Sequence, residues 1–142
     1  MEDNVQKAIF SLLEKYAKAY QDKDLDGILK LFEDSADLVV IGTGYDEWIK
    51  GYENLQYGFE RDFKQADNIN VKFRNVTISS TDNVAWISAH MNVDARADGQ
   101  DIYLPGRLSA VILKINEKWL FTQLHYSLPA SEQEEGKAWP DI

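Results

Sequence analysis

The chain has 142 residues, 44% of them hydrophobic, a formal net charge of −9 and a sequence pI of about 4.6. That length suits one domain with one core. There is no cysteine, which excludes disulfides and thiolate metal sites, and no cluster of lysine and arginine of the kind that phosphate backbones and anionic lipid surfaces require, so neither nucleic acid nor membrane is an expected partner.

Residues 3–21 read as an amphipathic helix, because Val5, Ala8, Ile9, Leu12, Leu13, Tyr16, Ala19 and Tyr20 recur at three- and four-residue spacing. Asp3 is the expected N-cap. A second, shorter helix follows Asp24, with Leu25, Ile28, Leu29, Leu31 and Phe32 as its apolar face, and Glu33-Asp34-Ser35 ends it. The unbroken Leu38-Val39-Val40-Ile41 predicts a buried strand over 36–42. Gly42-Thr43-Gly44 is a turn, 46–49 a connecting piece, and 51–66 a third helix carrying Leu55, Phe59 and Phe63. Four strands follow at about 70–79, 84–95, 102–115 and 118–127, separated by turns short enough for hairpins. The polar, acidic stretch after Pro129 reads as a loose extension, although its Trp139 could dock on a neighbour.

Helices segregated from a long antiparallel sheet imply an α+β packing. The division expected is a domain over 1–130 and a polar tail over 131–142. Residues 1–10 lack the continuous apolar run of a signal peptide, and no stretch approaches 18 apolar residues, so the expected location is cytoplasmic.

Strand parity sorts the sheet into two faces. One carries Ala85, Ile87, Ala89, Met91 and Val93, with Leu108, Ala110, Ile112 and Leu124, and is apolar. The other carries Val84, Trp86, Ser88, His90 and Asn92, with Arg107, Ser109, Val111 and Leu113, and Phe121, Gln123, His125 and Ser127. Apolar walls with a few placed polar groups characterise ligand cavities. The mixed face is therefore expected to line a pocket, with a partly exposed sheet face as the structural alternative. Arg107 needs a partner there, either an internal carboxylate (Asp37, Asp46 or Glu47) or a ligand carboxylate bound bidentately. His125 is the candidate general acid or base, with His90 beside it and Asp37 as a possible partner. A purely structural hydrogen-bonding role is the other reading of both histidines. Trp48, Trp86, Tyr57 and Tyr103 could wall an aromatic ligand or simply pack. Two histidines on separate strands make no metal site, and Gly42-Thr43-Gly44 lacks the remainder of a phosphate loop, so no metal or cofactor is expected.

Taken in order, Asp24-Leu25-Asp26, the run from Gly42 to Trp48, Val84-Ala85-Trp86, Arg107 to Val111 and Leu124-His125-Tyr126-Ser127 resemble the SnoaL-like branch of the nuclear transport factor 2-like superfamily, from about Val5 to Pro129. The resemblance implies a cone: three N-terminal helices on a strongly curved, mainly antiparallel sheet, with a pocket at the open end. It also implies a homodimer formed through the outer sheet faces. The apolar set of Ile87, Ala89, Met91, Leu108, Ala110, Ile112 and Leu124 could supply that contact or pack within the subunit. The ketosteroid isomerase chemistry of this superfamily needs a carboxylate near Val40, Ile41 or Gly42 and an acid near Ala110 or Val111; neither is present, and Tyr16 alone could fill the tyrosine role. The expected function is binding of a small carboxylated or carbonyl-bearing molecule through Arg107, Trp86, His90, Trp48, Tyr103, Ser109, Gln123 and Tyr16, with His125 as the catalytic candidate. If it is an enzyme, a cofactor-independent lyase, isomerase or cyclase is implied. The alternative is a non-catalytic homodimeric association module, because fold does not fix function.

Overall fold

The computed structural model describes residues 3–141. Helix α1 (Asp3–Gln21) is followed by α2 (Leu25–Leu29), strands β1 (Val39–Ile41) and β2 (Trp48–Lys50), helix α3 (Tyr52–Gln65), and the long strands β3 (Asn68–Thr81), β4 (Val84–Ala97), β5 (Gln100–Ile115) and β6 (Lys118–Ser127). The cap expected at Asp3 lies outside the described side chains. At α2 the Asp24 side chain accepts a 3.0 Å hydrogen bond from the Gly27 amide, which satisfies one of the free donors of the first turn.

One six-stranded sheet runs in the order β2-β1-β6-β5-β4-β3. All its pairings are antiparallel except β1 with β6. Asp98-Gly99 and Asn116-Glu117 both adopt positive φ, the conformation that two-residue hairpins need to match strand twist. Register shifts between Arg74 and Thr77, where Asn75 is left-handed, and between Val111 and Ile112 bend the sheet.

Three elements differ from the sequence reading. Helix α2 stops at Leu29, because the chain turns so that Phe32 bridges to Phe121, with Phe121 N donating to the Leu31 carbonyl at 2.9 Å. The expected strand over 36–42 contracts to Val39–Ile41, because Ser35 holds the Asp37 and Leu38 amides in a turn. The expected connecting piece over 46–49 runs into β2, which pairs with β1.

The sheet curls around α1. Ile9, Leu12, Leu13, Tyr16 and Ala19 of α1 are buried, together with Ile87, Met91, Val93, Leu108, Ala110, Ile112, Leu124 and Tyr126 of the sheet. The face of the sheet toward the helices is thus the apolar one. Rings fill its centre: Tyr16 packs edge-on to Phe121 at 5.8 Å, and Phe32 lies 5.2 Å from Phe121. Burying one such ring contributes about 1.5–3 kcal/mol.

Candidate functional site

The core does not fill the open end of the cone. A cavity of about 210 Å³ remains between α1, α3, β1 and the concave sheet. Tyr16, Tyr20, Phe59, Asp62, Met91 and Tyr126 are among its lining. Helical spacing explains the helix contributions: Tyr16 and Tyr20 are one turn apart on the buried stripe of α1, and Phe59 and Asp62 are three apart on α3.

Three phenols reach this cavity, and two are tied down. Tyr20 donates to Asp62 Oδ2 at 2.7 Å. Tyr126 donates to the carbonyls of Met91 at 3.0 Å and Leu104 at 3.3 Å. Tyr16, only 5% exposed, has no hydrogen-bond partner among the described residues. Burial pushes all three hydroxyls upward, Tyr126 to about 12, so each stays a neutral donor.

Asp62 is carried by α3 into this aromatic surround, and Glu47 reaches the same cavity from the β1–β2 loop. Desolvation raises the Asp62 pKa, with Glu47 adding to the rise, while the Tyr20 hydrogen bond and Arg61 oppose it. Arg61 faces outward from the same helix, 3.0 Å from Asp46 and 3.7 Å from Glu47. Its hydrogen bond holds the Asp46 carboxyl below the usual range. Arg61 thereby joins α3 to the β1–β2 hairpin at the rim. Tyr20, Glu47, Arg61 and Asp62 also line a wide outer vestibule. The Tyr20–Asp62 pair therefore stands at the neck between cavity and solvent.

The residues expected to line the pocket divide. Tyr16 does line it. Trp86, His90, Arg107, Ser109, Gln123 and His125 lie on the other, convex face of the sheet, where Trp86 is 45% exposed. Trp48 on the edge strand β2 and Tyr103 on β5 are also exposed, and neither lines the cavity. Alternation holds along β4 and β5, but the register shift between Val111 and Ile112 turns Phe121 inward, where it is fully buried, and the face expected to line the pocket is the outer one: the wholly apolar face is inside, packed on α1. The apolar set offered for a dimer contact accordingly packs within the subunit. Arg107 donates to the Leu128 carbonyl at 3.2 Å and pairs with none of Asp37, Asp46 or Glu47. His90 Nδ1 lies 3.3 Å from the Asn75 amide nitrogen, and no hydrogen bond links either histidine to Asp37 among the described residues.

Asp62 was missed. Its signal is in the sequence: a charged residue sits on the stripe set by Leu55 and Phe59 in α3. Val40, Ile41 and Gly42, where a ketosteroid isomerase-type base would stand, do line the cavity and carry no acid. No group of three metal-ligating side chains occurs among the described residues. A larger cleft of about 580 Å³ lies outside the cone between α1, α2 and the β5–β6 hairpin; it is a solvated surface, with Lys18 paired to Asp22 at 2.8 Å.

A SnoaL-like domain model matches residues 9–131. The chain belongs to the SnoaL-like domain family. Among solved structures, a nuclear transport factor 2-like superfamily protein from Salmonella enterica serovar Typhimurium superposes with a TM-score of 0.85 at 22% identity, covering 96% of this chain and 98% of that one. A proposed dehydratase of the same superfamily from Streptomyces avermitilis gives 0.82 at 13% identity, covering 92% and 100%. A proposed calcium/calmodulin-dependent protein kinase II association domain from Xanthomonas campestris gives 0.76 at 18% identity, covering 87% and 86%. No curated protein matches the chain. At these identities the solved structures speak for the fold alone. No described helix of this SnoaL-like chain is long and apolar enough to cross a membrane.

Proposed function

We propose that this SnoaL-like domain binds a small, largely apolar organic molecule bearing a carbonyl or hydroxyl group in the cone cavity. The carrying observation is the pairing of an unpartnered buried phenol, Tyr16, with a desolvated carboxyl, Asp62, on one apolar cavity. Tyr16 supplies a donor to a ligand oxygen. Asp62, oriented by Tyr20, supplies an acceptor, and desolvation makes it a stronger base than an ordinary carboxylate. A carboxylated ligand is disfavoured, because the carboxylates of the neck and vestibule, Glu47, Glu60, Asp62, Asp67 and Asp98, outnumber the cations Arg61 and Lys64. If the site is catalytic, the reading is proton abstraction or elimination on a carbonyl compound, without a cofactor. The dehydratase description of the Streptomyces relative points the same way.

A thermal-shift screen of neutral aromatic ketones and phenols against matched carboxylates tests this. A ligand that binds only the native state at 100 times its Kd adds about 2.7 kcal/mol to stability. Neutral hits are expected, with the shift reduced in Tyr16→Phe and Asp62→Asn and abolished in Val40→Phe, which fills the cavity from β1. Hits unaffected by all three variants would place the ligand elsewhere.

The convex face supports a second element of the reading, a homodimer formed through it. Trp86 stands there exposed beside half-buried Val111, its cross-strand neighbour, with nothing over them. The association-domain description of the Xanthomonas relative is consistent with self-assembly by this fold. Sedimentation equilibrium decides it, and a monomer across the micromolar range would remove it.

A further inference from the structure

The central rows of the convex face carry two arginines with no acidic residue in register with them. The register places Arg74 opposite His90, His90 opposite Arg107, and Arg107 opposite Ser127, in one row across four strands. The next row is Thr77, Ser88, Ser109 and His125, and the one after it Ser79, Trp86, Val111 and Gln123. None of these rows contains an acidic residue, although the chain's net charge is −9. A shallow groove of about 350 Å³ lies over the β4, β5 and β6 members of the first two rows, with Asn75 of β3 at its edge. Its polar side chains, from Asn75 to Ser127, all carry N–H or O–H donors. The other two arginines are each matched: Arg61 to Asp46 at 3.0 Å and Arg96 to Asp101 at 2.7 Å. Arg74 and Arg107 form no ion pair among the described residues.

The segment after β6 has the complementary composition. Residues 129–141 hold Glu132, Glu134, Glu135 and Asp141 against the one Lys137. Their hydrogen bonds and ion pairs are internal: Gln133 N to the Ala130 carbonyl at 3.2 Å, Asp141 N to the Glu132 carbonyl at 2.8 Å, and Lys137 with Glu134 at 3.5 Å. None joins the segment to the rest of the chain among the described residues. Trp139 is 81% exposed. The segment is a folded acidic knob with a free aromatic, leaving β6 at Ser127, on the rim of the donor-lined groove.

We propose that the acidic segment 129–141 of a second copy of this chain docks on the convex face. Its carboxylates meet Arg74 and Arg107, and its Trp139 packs beside Trp86. This rests on the homodimer reading above and specifies how the dimer is held. Two convex faces brought together by a twofold axis would oppose their arginine rows, and like charges across an interface are unfavourable. An acidic segment delivered by each copy at the edge of that face removes the repulsion. The arginine fork binds carboxylates bidentately, and an exposed Trp on each partner supplies an apolar anchor.

Charge exchange in the full-length chain tests the proposal. One variant carries Arg74→Glu and Arg107→Glu; the other carries Glu132→Lys, Glu134→Lys and Glu135→Lys. All five positions are exposed. By analytical ultracentrifugation, each variant alone is expected to dimerise at least about tenfold more weakly than the parent chain, and an equimolar mixture is expected to recover a heterodimer. Trp139→Ala is expected to weaken the parent dimer without changing its salt dependence. A parent dimer whose constant is the same in both charge variants overturns the docked segment and leaves the homodimer standing. Variants that weaken singly but do not rescue one another in the mixture place the segment on its own chain and overturn the second copy as occupant. A parent chain that is monomeric throughout removes both readings.

Discussion

Asp62 sits where a helix's apolar stripe would place a leucine, and its surroundings set a testable pH dependence. Desolvation raises its carboxyl pKa in the folded chain, so the folded state holds the proton more tightly than the unfolded state does. In the window between the ordinary carboxyl value and the raised one, the native state binds more protons, and stability falls as pH rises. Asp62→Asn removes that loss while keeping an oxygen to accept from Tyr20. The variant is expected to melt above the parent chain at pH 7, with the gap closing as pH falls to the ordinary carboxylate range; a gap independent of pH would mean that Asp62 is not desolvated. Tyr20→Phe acts in the opposite sense. It strips the carboxylate of its 2.7 Å donor and is expected to cost about 1–3 kcal/mol in urea unfolding at neutral pH. A phenylalanine variant as stable as the parent would indicate that water replaces the phenol.

Parity was legible from the alternation of residues in β4 and β5 but not at Phe121 of β6, where a register shift breaks it, and the resemblance supplied the cone. What composition could not decide was which side of the sheet is concave. A cavity-lining surface was expected to be mixed in polarity, and the mixed face was therefore placed inside. In this cone the concave face has α1 against it, so it is apolar but for the Tyr126 hydroxyl, and the other polar groups of the cavity come from the helices and the β1–β2 loop, as Tyr20, Asp62 and Glu47 show. The missing β2 has a similar origin. Its three residues alternate exposed and half-buried on the sheet edge, too short a pattern to stand out. The closeness of β5 to β6 is a property of elements that sequence does reveal once the structure is known. Gly106 leaves room for the Tyr126 ring, and a Cβ at 106 would collide with that ring rather than with a flexible side-chain tip. Tyr126 is held by its two carbonyl partners and cannot swing aside without losing them. Gly106→Ala is therefore expected to destabilise the chain by about 1–3 kcal/mol, and Gly106→Ala combined with Tyr126→Leu by less than the sum of the single changes. Strict additivity, read from urea midpoints and slopes, would separate the two sites.

At the scale of the whole molecule, the helices and the sheet share one core. Leu12 and Tyr16 of α1, Ile28 of α2, Phe59 of α3 and Phe121 of β6 belong to a single buried cluster that also contains the concave residues of β3, β4 and β5. The helices also touch one another, Tyr20 of α1 lying against Phe59 and Phe63 of α3, but these rings belong to or pack on the same cluster, and most helical stability in proteins comes from packing of the apolar face. Loss of either layer exposes the other, so unfolding should be one cooperative transition. The tryptophans allow a check from separate places: Trp48 on β2, Trp86 on β4 and Trp119 on β6 report the sheet, while helical far-ultraviolet dichroism reports α1 and α3. Trp139 lies outside the core and would report only its own segment, so the experiment uses Trp139→Phe. At one fixed protein concentration the fluorescence and dichroism curves in urea are expected to superimpose, with a common slope of about 1–3 kcal/mol/M. Fluorescence that changes at lower urea than dichroism would mean that the sheet opens while the helices remain. The cavity between α1, α3 and the sheet would then be a boundary between two units, and Tyr16 and Asp62 would owe their fixed geometry to a bound ligand rather than to the fold.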